Sequence, residues 1–249
     1  MRLSDIEVLS FDCFGTLIDW ESGIWAALQT LVARAGRPEG QMIEREEALA
    51  AFARLETAAE HASHPAPPYS AILAMVHAGL AREWGVAADL AAGRIFAAAI
   101  ADWPVFSDTA AALRLLGQGR KLVILSNVDR AGFAATLPKL GVAFDAVLTA
   151  EEIGSYKPDA RNFAALLARV AGFGIGRGGL LHVAQSLFHD HAPANRAGIA
   201  SVWIDRRGAG EGGGEGGRWG ATAPPPPGVR YDLRCASLAE LAALFARAG

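Results

Sequence analysis

Asp12 stands directly after the apolar run Ile6-Glu7-Val8-Leu9-Ser10-Phe11 and before Cys13-Phe14-Gly15-Thr16-Leu17. The run has the pattern of a short buried strand, and Gly15 supplies the backbone freedom for a sharp exit from its carboxyl end. A carboxylate at that tip lies where open α/β sheets form their crevices, which makes Asp12 a candidate nucleophile. An aspartate that merely caps a turn has the same local pattern. Three more polar groups follow expected strands. Ser126-Asn127 offers a hydroxyl, an amide and turn N–H groups able to hold an anionic oxygen or a departing halide, although Ser-Asn is also a common helix start. In Ser155-Tyr156-Lys157-Pro158-Asp159, Pro158 suits the first position of a helix through Arg161 to Val170 and biases Lys157 towards extended geometry. A cation at a helix N-terminus is unfavourable by roughly 0.3 to 1 kcal/mol, so Lys157 is placed there for something other than stability, or is a solvated surface lysine. Gln185-Ser186-Leu187-Phe188-His189-Asp190-His191 comes last; His189 could serve as a general base near neutral pH or be a polar surface residue.

The elements that would position these groups are legible in the spacing. Between Asp19 and Ala101 the pattern is alanine-rich and helical, with expected helices over Ile24 to Ala35, Gln41 to His61, Ser70 to Trp84 and Asp89 to Ala101. From Asp102 onward strands alternate with amphipathic segments: Lys121 to Ser126, Ala146 to Thr149, Leu180 to Ala184 and Ser201 to Asp205. The runs Leu122-Val123-Ile124-Leu125 and Leu180-Leu181-His182-Val183 lack alternation, as strands covered on both faces do. The expected fold is α/β: a doubly wound parallel sheet built from residues 1–18 and 102–249, with a helical subdomain inserted over 19–101. His182 is expected to be a hydrogen-bonded core histidine. His61 and His64 are spaced like metal ligands, but the prolines that follow them argue for a plain loop over His61 to Pro68. Residues 207–228 are glycine-rich and then proline-rich, too poor in apolar groups to fold alone, and a final helix is expected over Ser237 to Ala248.

Composition narrows the function class. The 249 residues are 52% hydrophobic, enough for a sizeable core, and a formal net charge of -3 leaves no electrostatic footprint for nucleic acid or an anionic membrane. Two cysteines, Cys13 and Cys235, are too few for a disulfide framework. With no recognisable leader and no apolar run of membrane-spanning length, a cytoplasmic protein with a small ligand is expected.

Taken together, Asp12-Cys13-Phe14-Gly15-Thr16-Leu17, Ser126-Asn127, Lys157-Pro158 and the Asp190 segment resemble, in order and context, the four motifs of the haloacid dehalogenase (HAD) superfamily. The resemblance implies a Rossmann-like core with a helical cap, with Asp12 as nucleophile and Lys157 aimed at its carboxylate. It further implies that Asp190 positions the water that hydrolyses an ester intermediate. Superfamily phosphatases carry a second aspartate two residues after the nucleophile as proton donor; here that residue is Phe14, which transfers no protons. Halide leaves without a proton, and type II 2-haloacid dehalogenases have an aromatic residue at this position. The segments from Asp12 to Glu21, Ser186 to Pro193 and Trp219 to Thr222 also look like the azetidine-2-carboxylate hydrolase branch, where similar chemistry opens a strained ring. The pattern before the aspartate departs from the dehalogenases, with one extra residue and flanking histidines.

The resulting expectation is a hydrolase in which Asp12 displaces halide, or opens a strained ring, at C2 of a small 2-substituted carboxylic acid. Asp12, Lys157, Asp190 and Ser126 are the expected catalytic residues. Asn127, Phe14, Thr16, Ser186, His189 and Arg54 are expected around the substrate, Arg54 as the nearest candidate for the cap arginine that binds halide in the dehalogenases. No metal or other cofactor is expected, and a homodimer through the caps is left open. Two alternatives remain. One is a phosphatase holding Mg2+ on Asp12, the carbonyl of residue 14 and Asp190; the other is a non-catalytic module that binds small carboxylates.

Overall fold

The structure is a computed structural model that describes residues 1–36, 41–61, 67–208 and 223–248. Among the described residues six parallel strands form one sheet in the order β3-β2-β1-β4-β5-β6. They are β1 (Val8–Phe11), β2 (Lys121–Ser126), β3 (Ala146–Thr149), β4 (Leu180–Ala184), β5 (Ala200–Ile204) and β6 (Leu233–Cys235). The expected doubly wound α/β sheet is therefore present. From β1 the chain builds outward through β2 and β3, then crosses back to add β4 on the other side of β1. That reversal places the carboxyl ends of β1, β2 and β4 side by side, where a crevice opens in sheets of this kind.

Alternate residues of each strand pack into different layers, as a period of two requires. Leu9, Phe11, Leu122, Ile124, Leu181 and Val183 join the core on one face, while Val8, Val123, Leu125 and Leu180 join Phe163, Leu166 and Val170 on the other. Those last three belong to α8 (Ala160–Gly172), whose apolar residues recur on one face. All of β1 and β4 is buried, which accounts for their unbroken hydrophobicity.

Among the described residues four α-helices lie between β1 and α5 (Thr109–Leu116): α1 (Trp20–Val32), α2 (Arg45–His61), α3 (Tyr69–Glu83) and α4 (Leu90–Ala98). Helix α3 packs on both α2 and α4, and their shared interior includes Leu49, Phe52, Ile72, Val76, Leu80 and Phe96. Asp19 caps α1 by accepting from Ser22 N at 3.1 Å, so helix begins at Trp20, earlier than expected. The two chain crossings between insertion and sheet lie side by side: Asp19 N donates to Pro104 O at 2.8 Å and Ile18 bridges Val105. The loop expected over His61 to Pro68 and the segment over 207–228 lie largely outside the described residues, as do His64 and Trp219 to Thr222. Among the described residues no helix is long and apolar enough to cross a membrane. The final helix α10 (Leu238–Ala248) matches its expected span within one residue.

The short strand β6 was not expected. Three residues with a central Arg234 carry no strand signature of their own, and pairing to Val202, Trp203 and Ile204 of β5 is what forms it. Gly23 on α1 is a point of close contact: a Cβ there would come within 2.4 Å of the Trp103 ring, which is 1% exposed. Gly23→Ala is expected to lower stability by about 1–3 kcal/mol through overpacking, measured as a shift in the urea unfolding midpoint at unchanged slope.

Candidate active site

The strand tips converge on one ammonium. Lys157 Nζ donates to Asp12 Oδ1 at 2.8 Å, to Asp190 Oδ1 at 2.7 Å and to Leu125 O at 3.0 Å, which uses all three of its protons. Lys157 and Asp190 are each 1% exposed and Asp12 is 6% exposed. Lys157 does not stand at a helix end as expected. Asp159 caps α8 by accepting from Arg161 N, and the helix starts at Ala160, so Pro158 precedes the cap and Lys157 lies in the turn before it.

Each carboxylate is fixed from a second direction. Thr16 Oγ1 donates to Asp12 Oδ2 at 2.7 Å and itself accepts from Gln185 N at 2.9 Å, tying the β1 loop to the end of β4. Thr16 is thus a positioning residue behind Asp12 and does not line the cavity, a correction to its expected place beside substrate. The loop closes through Gly15, whose φ of +97° suits glycine and whose N–H reaches Ile18 O at 2.7 Å. Asp190 Oδ1 also meets His182 Nε2 at 3.0 Å, while His182 Nδ1 bonds Ser10 Oγ at 2.8 Å. His182 is the hydrogen-bonded core histidine that was expected, and in addition it orients Asp190. Asp190 Oδ2 is buried without a hydrogen-bond partner among the described residues.

Asp190 reaches this place through a wide π-type turn, Leu187–His191, in which His191 N bonds back to Ser186 O at 3.3 Å. Such a turn holds one residue more than a regular helical turn, and so accommodates the extra residue of this segment. Ser186 Oγ accepts from His189 N at 3.0 Å.

Burial and charge act against each other at this centre. Burial pushes the Asp12 pKa above its usual range, the Lys157 ammonium pulls it back only in part, and Asp190 adds to the rise. Burial would raise Asp190 too, but Lys157 and His182 overrule it and hold Asp190 well below the carboxylate range. Burial disfavours the charged lysine, yet the two carboxylates push Lys157 above its ordinary value. Asp190 is therefore the firmly ionised partner, and Asp12 the more basic carboxylate of the two.

A small cavity of about 70 Å³ opens at this centre, lined by Asp12, Phe14, Trp20, Glu56, Glu60, Tyr69, Ser126, Asn127, Lys157, Gln185, Ser186, His189 and Asp190. Trp20 and Gln185 also line an outer cavity of about 560 Å³, so the two are contiguous. Phe14 forms apolar wall, edge-on to Trp103 with ring centroids 5.2 Å apart and stacked towards Tyr69 at 6.5 Å. Ser126 Oγ is buried with no hydrogen-bond partner among the described residues.

The expected residues thus gather, with two changes besides Thr16. The Asn127 side chain is spent largely on the lysine loop: its Oδ1 accepts from Lys157 N at 2.7 Å and its Nδ2 donates to Lys157 O at 3.1 Å. Arg54 does not reach the cavity. It is 59% exposed and pairs with Glu83 at 2.7 Å, because helical rotation turns residue 54 about 200° away from residue 56. Glu56 and Glu60, which do line the cavity from α2, were not anticipated; their spacing of four was the available signal. Among the described residues no group of three His, Cys, Asp or Glu is arranged to hold a metal ion.

A family model for haloacid dehalogenase-like hydrolases matches residues 6–176. The chain belongs to this family. Its fold agrees with that of solved L-2-haloacid dehalogenases. One, PA0810, is 22% identical with a TM-score of 0.72, covering 97% of this chain and 99% of that one. Another, from Xanthobacter autotrophicus and solved with chloropropionic acid covalently bound, is 19% identical with a TM-score of 0.74, covering 96% and 98%. The HAD-hydrolase YfnB of Bacillus subtilis, solved with magnesium, is 18% identical with a TM-score of 0.73, covering 99% and 100%. At these identities the likeness establishes the fold of this hydrolase and leaves its reaction to the site. No curated protein matches the sequence.

The Lys157 triad fixes the effect of removing its cation. Lys157→Met leaves Asp12 and Asp190 facing each other uncompensated in a buried site, a loss of about 3–5 kcal/mol near neutral pH. Asp190 has a depressed folded-state pKa, so its stabilisation is present above the unfolded carboxylate range and lost as pH falls through the folded value. With the ammonium gone, burial and mutual repulsion raise the carboxyl pKa values of the variant, so protonation relieves it as pH falls from 7 to 4 while the native Asp190, held low by Lys157, stays ionised; the deficit of Lys157→Met is therefore expected to shrink over that range, read by urea unfolding at each pH.

Proposed function

We propose that this hydrolase uses Asp12 to displace a substituent at C2 of a small 2-substituted carboxylic acid, forming an aspartyl ester that water then cleaves, as in the type II 2-haloacid dehalogenases. The leaving group on this reading is halide or the nitrogen of a strained ring. The observation that carries the proposal is the bond of Asp12 to a fully engaged, buried Lys157, with the ring of Phe14 where a phosphatase needs a proton donor.

Attack requires an ionised carboxylate, and the ammonium at 2.8 Å favours that form against the burial that opposes it. The same burial keeps the oxygen poorly solvated and reactive. Thr16 and Lys157 hold the carboxylate from two sides, so the attacking oxygen is oriented before substrate arrives. Ser126 Oγ is free to donate to the substrate carboxylate. Lys157 is not, since its three protons are already engaged. After displacement, Asp190 Oδ2 is the acceptor available to a water that attacks the ester, with Ser186 and His189 on the same wall. His189 is placed to relay the proton released.

Phosphoryl transfer fits less well. Phe14 offers no proton to a departing alcohol at the position where superfamily phosphatases carry an aspartate.

One single-turnover experiment in heavy-oxygen water tests the ester. Ordinary oxygen from Asp12 is expected in the first product and heavy oxygen in the Asp12 peptide, with Asp12→Asn inactive. Label found in product and never in the enzyme would point to direct attack by water. Chelator-resistant turnover of 2-chloropropionate, with none on phosphate esters, is the companion result.

A further inference from the structure

Glu56 and Glu60 lie four residues apart on one face of α2 and line the same cavity as Asp12 and Lys157. Glu60 is 6% exposed. Its Oε1 accepts from Asn127 Nδ2 at 3.2 Å, and its Oε2 is buried without a hydrogen-bond partner among the described residues. Glu56 Oε1 accepts from the Tyr69 hydroxyl at 2.6 Å. Among the residues lining the cavity Lys157 is the one lysine or arginine, and its protons are committed, against four carboxyl groups: Asp12, Asp190, Glu56 and Glu60.

So many acids cannot all ionise in so small a space. Burial first, and then Glu56 as a neighbour, push Glu60 well above the carboxylate range, while burial raises Glu56 to about 7. A purely anionic ligand seated against this wall would meet like charge or a carboxyl proton, with no arginine to receive it. A basic nitrogen would instead take the Glu60 proton and remain as an ammonium held by the resulting carboxylate.

We propose that Glu60, supported by Glu56, forms a subsite for a basic nitrogen of the substrate, so that the substrate class is a small amine or amino acid. This rests on the displacement mechanism above and specifies its substrate. Where the nitrogen is also the leaving atom, the steps balance. Glu60 transfers its proton to the nitrogen; Asp12 bonds to carbon as the C–N bond breaks, the electron pair going to nitrogen, which departs as a neutral amine. Water then cleaves the aspartyl ester to an alcohol, restoring the Asp12 carboxylate, and the proton released returns to Glu60. The net reaction adds one water across the C–N bond.

Alanine and isobutyrate are near-isosteric and differ in an ammonium against a methyl group, so titration calorimetry on the full chain at pH 7 reads the subsite directly. Alanine, in one hand or the other, is expected to bind at least about tenfold more tightly than isobutyrate, a difference of about 1.4 kcal/mol. In Glu60→Gln, which keeps an acceptor for Asn127, the preference is expected to collapse, with Glu56→Gln intermediate. Equal or tighter binding of isobutyrate, binding of neither, or a preference unchanged in Glu60→Gln overturns the subsite. If Glu60→Gln fails to fold, the two ligands on the native chain still decide. Transfer of Asp12 oxygen is measured independently: label in Asp12 alongside a preference for isobutyrate would remove the subsite and leave the nucleophile standing.

Discussion

A charged lysine with almost no access to water is the constraint around which the structure is arranged. Taking an ammonium and two carboxylates out of water costs several kcal/mol per ion, and the site recovers it only through complete pairing. Lys157 meets that condition with Asp12, Asp190 and the carbonyl of Leu125. The pairing in turn dictates topology. Its partners come from the ends of β1 and β2 and from the turn after β4, the three neighbouring strands at the reversal of the sheet. A different strand order would leave one of the charges unmatched.

Further layers hold that arrangement rigid. Asn127 grips both backbone groups of Lys157, Thr16 bridges Asp12 to Gln185, and the Ser10–His182 pair holds Asp190. Arg206, at the end of β5, donates to Thr16 O at 2.8 Å while pairing with Asp108, so even the loop behind Asp12 is tied to the next strand. On the outer rim, Arg207 pairs with Glu21 of α1 and Glu46 of α2, joining the sheet side to the helical insertion beside the outer cavity. Asp12 and Lys157 therefore sit at the inner end of a path whose walls come from both parts of the chain.

How much of this was legible in the sequence depends on the range of the signal. Strands β2, β3 and β4 were legible to the residue, because buried parallel strands carry dense local patterns bounded by Gly, Asp or Ser. Asp12, Ser126, Lys157 and Asp190 were legible as a set because each follows such a strand, and strand tips on one sheet edge converge whatever the loops do. The exchange of roles between Asn127, Thr16 and Lys157 was not legible. Which side chain satisfies which backbone group depends on loop geometry settled by distant partners, such as Asp12 and Lys157, which are 145 positions apart in the sequence. β6 escaped because its pairing with β5, and not its own three residues, makes it a strand.

Helix α2 is the clearest case of information that sequence alone withholds. Its alanine-rich stretch gives no strong apolar stripe, so the side that faces the core is poorly marked, and charged residues at helical spacing ordinarily imply a solvated face. Arg54 was therefore the nearest candidate for the halide-binding cap arginine that the family resemblance implies. The helix is instead turned so that Phe52 is buried against Trp20 and Phe96, which carries Glu56 and Glu60 inward and leaves Arg54 to Glu83. One apolar anchor thus reverses the sign of charge presented to the cavity. A shared fold fixes where Asp12 stands, while the rotation of this helix governs what kind of molecule can stand opposite it.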